Sequence, residues 1–284
     1  MTRFAHVNGR YVRHRLASVH IEDRGFQFAD GVYEVCAVRD GILVDEAPHL
    51  DRLERSLGAL RIAMPVARAA LQVILRELVS RNRVRDGLVY MQVTRGQARR
   101  DHGFPSPGVP PTLVVTARSL DRVQSEARAA HGVKVLLTPE IRWARCDIKS
   151  VSLLPNVLAK QQAREAGCFE AWFVAPDGSI TEGASSNAWI VDREGRLRTR
   201  PTSPQILPGI TRAEIMALCR QHGLVCDETP FTEDDVRTAR EAFVTAATFG
   251  AMPVVQVGSH RIGDGAPGPI AKKIRELYWL TRSG

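Results

Sequence analysis

Two dipeptides, Asn8-Gly9 and Asp40-Gly41, constrain the first third of this 284-residue chain more than any other feature. Each interrupts an apolar run, in FAHVNGRYV and in VYEVCAVRDGILVDE. A two-residue type I′ turn needs positive φ at both central positions, which Asn or Asp followed by Gly tolerates best. Both stretches therefore predict β-hairpins. Between and after them the period changes. Leu50, Leu53, Leu57 and Leu60 form a helical stripe behind Pro48, and ARAALQVILRELVSRN gives a second amphipathic helix. DGLVYMQVTRG returns to strand period, with Tyr90, Gln92 and Thr94 on one face and Val89, Met91 and Val93 on the other.

The segment DHGFPSPGVPP, residues 101–111, carries four prolines and predicts no regular structure. TLVVTAR is a strand, and SLDRVQSEARAAHG reads as the passage into a second half. That half opens with strand VKVLLTP, continues through the helix LPNVLAKQQAREAG, and gives strand-rich pieces around Asp177-Gly178. GITRAEIMALCRQHG predicts a helix with a Thr211-to-Glu214 capping box and Gly223 as its stop. EAFVTAATFGAMPVVQV supplies further strands. Strands and helices do not alternate as βαβ units, so the expected class is α+β in two domains, 1–118 and 119–284.

Composition narrows the function classes. No apolar run approaches the roughly 18 residues of a membrane span, and MTRFAHVNGRYVRHR lacks the apolar core of a signal peptide. The five cysteines form no C-x-x-C pair, which predicts free thiols in a reducing cytoplasm and neither a disulfide frame nor a zinc site. The formal charge of +8 is spread among acids, as in DRLERS, without the dense basic block of a nucleic-acid binder.

The basic residues are unevenly chosen. Of 39 Lys and Arg, five are lysine, leaving 34 arginines. Lys149, in RCDIKSVSLLPNVLAKQ, stands just before an apolar stretch. Arginine supplies charge, but only lysine loses a proton readily enough to attack a carbonyl. A lysine working on a phosphorylated aldehyde cofactor needs companions. A helix N-terminus suits the phosphate, and GITRAEI offers Gly209, Ile210 and Thr211. A carboxylate must meet the ring nitrogen, and Glu182 lies in SITEGASSN. Cations must meet the substrate's own carboxylate, and Arg95, Arg99, Arg100 and His102 follow a strand. Each also has an ordinary reading, as surface lysine, N-cap, turn residue or loop charge.

Their order along the chain favours the chemical reading. EDRGFQFADGVYEV, HLDRL, CDIKS, ITEGASSN and GITR succeed one another between residues 22 and 212. This resembles the pyridoxal phosphate enzymes called fold type IV, which include D-amino-acid, branched-chain and R-selective amine transaminases and aminodeoxychorismate lyase. The likeness runs from about Val7 to Val257. It implies a two-domain α+β fold with the cofactor, pyridoxal 5′-phosphate, between a smaller N-terminal and a larger C-terminal domain. It implies that Lys149 is the Schiff-base lysine and proton shuttle, carried by the larger domain, and that Glu182 partners the pyridine nitrogen. Arg52, Ile210 and Thr211 match phosphate-binding positions, Leu207 the residue packed on the ring, and Tyr33 a tyrosine near the substrate carboxylate.

QVTRGQARRDHGFP is similar to the D-amino-acid aminotransferase pattern, in which an Arg-x-His pair, here Arg100 and His102, traps the α-carboxylate with the tyrosine. The implied reaction passes an amino group from a D-amino acid such as D-alanine to 2-oxoglutarate or pyruvate, in a cytoplasmic homodimer. The alternatives are branched-chain or R-amine transamination, or aminodeoxychorismate cleavage. One departure stands out: TAATFGAMP places Ala246 and Ala247 where close relatives carry hydroxyls, leaving Thr248 near the phosphate.

Overall fold

The structure is a computed structural model and describes residues 3–282. The chain divides into two compact units. Unit 1 comprises residues up to Asp121 together with Ile148–Ser152, and unit 2 comprises Arg122–Asp147 and the chain from Leu153 onward.

Unit 1 contains β1 (Phe4–Val7), β2 (Arg10–Arg13), α1 (Arg24–Phe28), β3 (Gly31–Arg39), β4 (Ile42–Leu43), α2 (Glu46–Ala59), α3 (Arg68–Arg81), β5 (Gly87–Thr94) and β6 (Thr112–Ser119). Its strands make one sheet in the order β2-β1-β6-β5-β3-β4. Both hairpins form where the turn chemistry places them. Asn8 and Gly9 have φ of 44° and 83°, Asp40 and Gly41 have 50° and 84°, and the flanking pairs are Val7–Arg10 and Arg39–Ile42. Leu50, Leu53 and Leu57 of α2 and Leu71, Leu75 and Leu78 of α3 are sealed against the face carrying Val89, Met91 and Val93. Each buried leucine contributes about 1.5–3 kcal/mol of transfer free energy. The opposite face keeps Tyr33, Tyr90 and Gln92 only partly covered.

Unit 2 contains α4 (Arg122–His131), β7 (Val133–Pro139), α5 (Leu154–Glu165), β8 (Glu170–Val174), β9 (Ile180–Gly183), β10 (Asn187–Val191), β11 (Leu197–Thr199), α6 (Ile210–Gln221), β12 (Cys226–Glu228), α7 (Glu233–Thr238), β13 (Glu241–Ala246), β14 (Gly250–Val257), β15 (His260–Arg261) and α8 (Pro269–Leu280). Eight of its strands follow the order β12-β11-β10-β13-β14-β7-β8-β9, with β15 on β14. The sheet is mixed: β7 runs parallel to both β14 and β8. The connection from β7 through α5 to β8 is therefore one parallel crossover inside an α+β chain, a unit the strand and helix pattern alone did not reveal.

The passage into the second half is a ten-residue helix, α4, with Ala129 buried. Two local expectations are corrected. The capping box at Thr211 does not form: α6 starts at Ile210 with Gly209 as its N-cap and no side-chain cap, so Thr211 lies inside the first turn. A reciprocal box occurs instead on α7, between Thr232 and Asp235. Finally, Lys149 belongs to a segment packed in unit 1, although the chain on either side of it lies in unit 2.

Candidate active site

In unit 1 the site is built on β3. Ile148, buried in the core, anchors the lysine segment. The backbone then runs antiparallel to β3: Tyr33 N donates to Lys149 O at 3.0 Å and Val151 N to Gly31 O at 3.0 Å. This is strand pairing along a stretch of β3 that β4, bonded only at Val38 and Arg39, does not cover. It brings the Lys149 Nζ to 4.2 Å from the centre of the Tyr33 ring. Tyr33 stacks on Tyr90, centroids 5.6 Å apart, and the Tyr90 hydroxyl donates to Gln92 Oε1 at 2.6 Å. Burial pushes the Tyr90 phenol up to about 12, so it stays a donor at neutral pH.

Strand alternation turns the next residue, Glu34, toward α2. There it is fully buried and meets Arg52, which is 5% exposed and so is no surface charge. Arg52 Nε donates to Glu34 Oε1 at 2.7 Å and Nη2 to Oε2 at 2.9 Å, while His49 Nδ1 lies 2.8 Å from Oε2. Burial alone would raise the Glu34 pKa, but the Arg52 charge and these hydrogen bonds bring it down to about 2. Glu34 thus fixes the plane of the Arg52 guanidinium, a part the sequence reading did not give it.

The cations after β5 separate into two groups. Arg95 is buried and committed: its Nε and Nη2 donate to Asp30 at 2.7 and 3.0 Å, and its Nη atoms also reach the carbonyls of Arg61 and Leu60. It is thereby withdrawn from any substrate role. Arg100 and His102 are exposed, and both rest on the Phe28 ring, the guanidinium 4.7 Å and the imidazole 5.5 Å from its centre.

In unit 2 the centre is Glu182 on β9. Its Oε1 accepts from Arg142 Nη1 at 2.5 Å and from Leu207 N at 3.0 Å, and its Oε2 accepts from Asn187 Nδ2 at 2.9 Å. The apolar Leu207 and the carboxylate are thus joined through the backbone. Asn187 also donates to Leu207 O, and Gly209 passes so close to Asn187 Oδ1 that a Cβ there would collide with it. That close approach is why the turn entering α6 carries glycine. Arg142, which the sequence reading missed, is held by Glu140 as well, and Thr181 donates to Glu140. Burial would lower the Arg142 pKa, but the carboxylates of Glu140 and Glu182 keep it above its ordinary range. Nothing in PEIRWARCDIKS distinguishes Arg142 from its neighbours, since its partners lie up to 63 residues away.

At the start of α6 the Thr211 hydroxyl is buried, 3.5 Å from the Tyr278 hydroxyl. Thr248 lies in the tight turn joining β13 to β14, closed by Phe249 N donating to Ala246 O at 3.3 Å. The neighbouring Thr245 hydroxyl accepts from Trp189 Nε1 at 3.0 Å and so serves the fold.

Each unit carries groups that suit a phosphorylated pyridine aldehyde: unit 1 a lysine amine beside an aromatic ring, and unit 2 a carboxylate oriented by three donors and a helix N-terminus free of a side-chain cap. Two α+β units carrying these groups define the class. The chain belongs to the amino-transferase class IV family, whose model matches residues 31–257. Among curated proteins it is 41% identical to the D-alanine aminotransferase of Bacillus licheniformis over 94% of this chain and 93% of that one. It is 35% identical to the D-alanine aminotransferase of Staphylococcus haemolyticus, over 96% and 95%. Its fold matches the Escherichia coli branched-chain amino acid aminotransferase with a TM-score of 0.92 and 21% identity, covering 100% of this chain and 96% of that one. The protein is a class IV aminotransferase, and its cofactor is pyridoxal 5′-phosphate.

Proposed function

We propose that this enzyme transfers the amino group of D-amino acids, D-alanine among them, to a 2-oxo acid such as 2-oxoglutarate or pyruvate, in two half-reactions. Likeness to D-alanine aminotransferases over nearly the whole chain supports the substrate class. The single structural observation that carries the reading is the Lys149 amine, 4.2 Å from the centre of the Tyr33 ring. An amino acid whose α-carboxylate is held at Tyr33 would present its α-carbon to that amine.

When bound, pyridoxal phosphate supplies an aldehyde that takes up the amino group and a protonated ring that withdraws electrons from the α-carbon. Lys149 is the base that removes the α-proton and the acid that returns it, the backbone pairing with β3 holding its segment still. Arg100 and His102, with Tyr33, bind the α-carboxylate. Each charged hydrogen bond to it contributes about 1.5–3 kcal/mol, enough to decide which face of the α-carbon meets the lysine. Glu182, paired with Arg142, would partner the ring nitrogen, and Leu207 would pack on the ring. Ile210 and Thr211, at the N-terminus of α6, would hold the phosphate together with Arg52 and Thr248.

A second copy of the chain is the expected partner. Leu16, Ile21 and Phe26 are 62, 74 and 73% exposed along one short stretch of unit 1, apolar area that a dimer would cover. Nucleic acid has no place in this reading, since arginines such as Arg52, Arg95 and Arg142 are committed to internal carboxylates. Among the described residues no helix is long and apolar enough to cross a membrane. Five free cysteines fit a reducing cytoplasm.

The test is the visible spectrum of the purified holoenzyme, titrated with single donors in the absence of any acceptor. D-alanine is expected to remove the yellow band while L-alanine leaves it. A band indifferent to D-alanine but removed by L-leucine or an R-amine would refute the substrate assignment.

A further inference from the structure

Backbone bonds from Arg24 N to Gly96 O at 2.9 Å and from Ala98 N to Glu22 O at 3.2 Å pair the start of this loop with the chain entering α1, but the pairing stops short of Arg100 and His102, and four prolines stand between Phe104 and Thr112. Beyond Ala98 side chains of the short helix α1 take over. Asp23 caps that helix, accepting from Gly25 N at 2.9 Å and from Thr94 Oγ1 at 2.9 Å, which ties α1 to the end of β5. Arg24, 3% exposed, donates from Nε to Asp30 Oδ2 at 2.8 Å. Its other two nitrogens reach consecutive carbonyls of the loop, Nη1 to Asp101 O at 2.6 Å and Nη2 to His102 O at 3.3 Å. Asp30 is itself clamped by Arg95, so the anchor does not drift. One helical turn on, the Phe28 ring collects three groups: Arg24 at 4.9 Å, Arg100 at 4.7 Å and the His102 ring at 5.5 Å.

The geometry points to Arg24 and Phe28 as positioning residues for the carboxylate-reading pair. Arg24 fixes the peptide between Asp101 and His102, and the Phe28 face seats the Arg100 guanidinium before substrate arrives. The inference rests on the reading that Arg100 and His102 meet the substrate's α-carboxylate. An exposed arginine that must be ordered on binding loses rotamer freedom. One already resting on an aromatic face has less to lose, so the pair sets affinity for the carboxylate and not the proton transfer at Lys149.

The experiment uses holoenzyme and follows the loss of the cofactor's visible band in single turnovers with D-alanine alone. Phe28→Leu is expected to raise the half-saturating D-alanine concentration about tenfold while the limiting rate stays within about threefold, because carboxylate binding is common to ground and transition states. Arg24→Lys keeps the charge but cannot span two carbonyls, and it moves the same parameter in the same direction. In an Arg100→Ala background the Phe28→Leu change is expected to cost much less, about threefold or under, since its main client is gone. Undiminished loss in that background, or a half-saturating concentration unchanged by Phe28→Leu alone, would overturn the inference. If Arg100→Ala itself leaves D-alanine saturation unchanged, the carboxylate reading fails and this inference fails with it. Should Arg24→Lys prevent folding, the Phe28 cycle decides alone.

Discussion

Replacing Glu34 by Gln isolates the buried charge beneath the site. Glu34 is fully enclosed, bidentate to Arg52 and bonded to His49, and its pKa lies near 2 instead of 4.5. A carboxyl depressed by that much contributes about 3 kcal/mol of stability at neutral pH. Because the folded pKa is the lower one, that contribution is complete above pH 4.5 and disappears as pH falls toward 2. Breaking a buried pair by removing one charge costs about 3–5 kcal/mol, since the partner is left uncompensated. Gln keeps the shape and one acceptor, so the lower end applies. Glu34→Gln is therefore expected to lose about 3 kcal/mol at pH 7 and to converge with the parent as pH approaches 2. Urea unfolding of both proteins, stripped of cofactor so that phosphate affinity does not enter, gives the comparison at pH 7, 4 and 3. A difference below about 1 kcal/mol at pH 7, or one that does not shrink with acid, would refute the assignment of this pair as a net stabilising charge.

Other substitutions test the remaining parts. Lys149→Ala is expected to abolish turnover while weak cofactor binding persists, and ordinary steady-state activity would refute its role as the proton-transferring base. Arg142→Leu removes one of three donors to Glu182, so cofactor affinity, measured by equilibrium dialysis, is expected to fall about tenfold or more. Arg100→Ala should lower kcat/KM for D-alanine far more than it lowers the melting temperature, because an exposed loop arginine contributes little to the core. Thr232→Ala breaks the capping box of α7 and is expected to cost about 1 kcal/mol in urea unfolding with activity retained.

Local chemistry is legible from the sequence because it depends on neighbours a few residues apart. Asn8-Gly9 and Asp40-Gly41 impose their turns, and the leucines of α2 impose their stripe, wherever the rest of the chain goes. The resemblance carried by CDIKS and ITEGASSN reached the same family as the comparisons. What an arginine does was not legible in this way. Arg52, Arg95 and Arg142 look alike as letters, and only folding brings each to its carboxylate, 18, 65 and 40 residues away along the chain. Thr211 looked like the first residue of a capping box. The helix instead takes as its N-cap Gly209, which passes close to Asn187 22 positions away, and so starts two residues earlier without the box. Lys149 shows both sides. Its scarcity as a lysine singled it out in the sequence, but its place on the uncovered stretch of β3 depends on backbone hydrogen bonds spanning more than a hundred residues. Such long-range pairing is fixed by closure of the whole chain, which no local window of sequence contains.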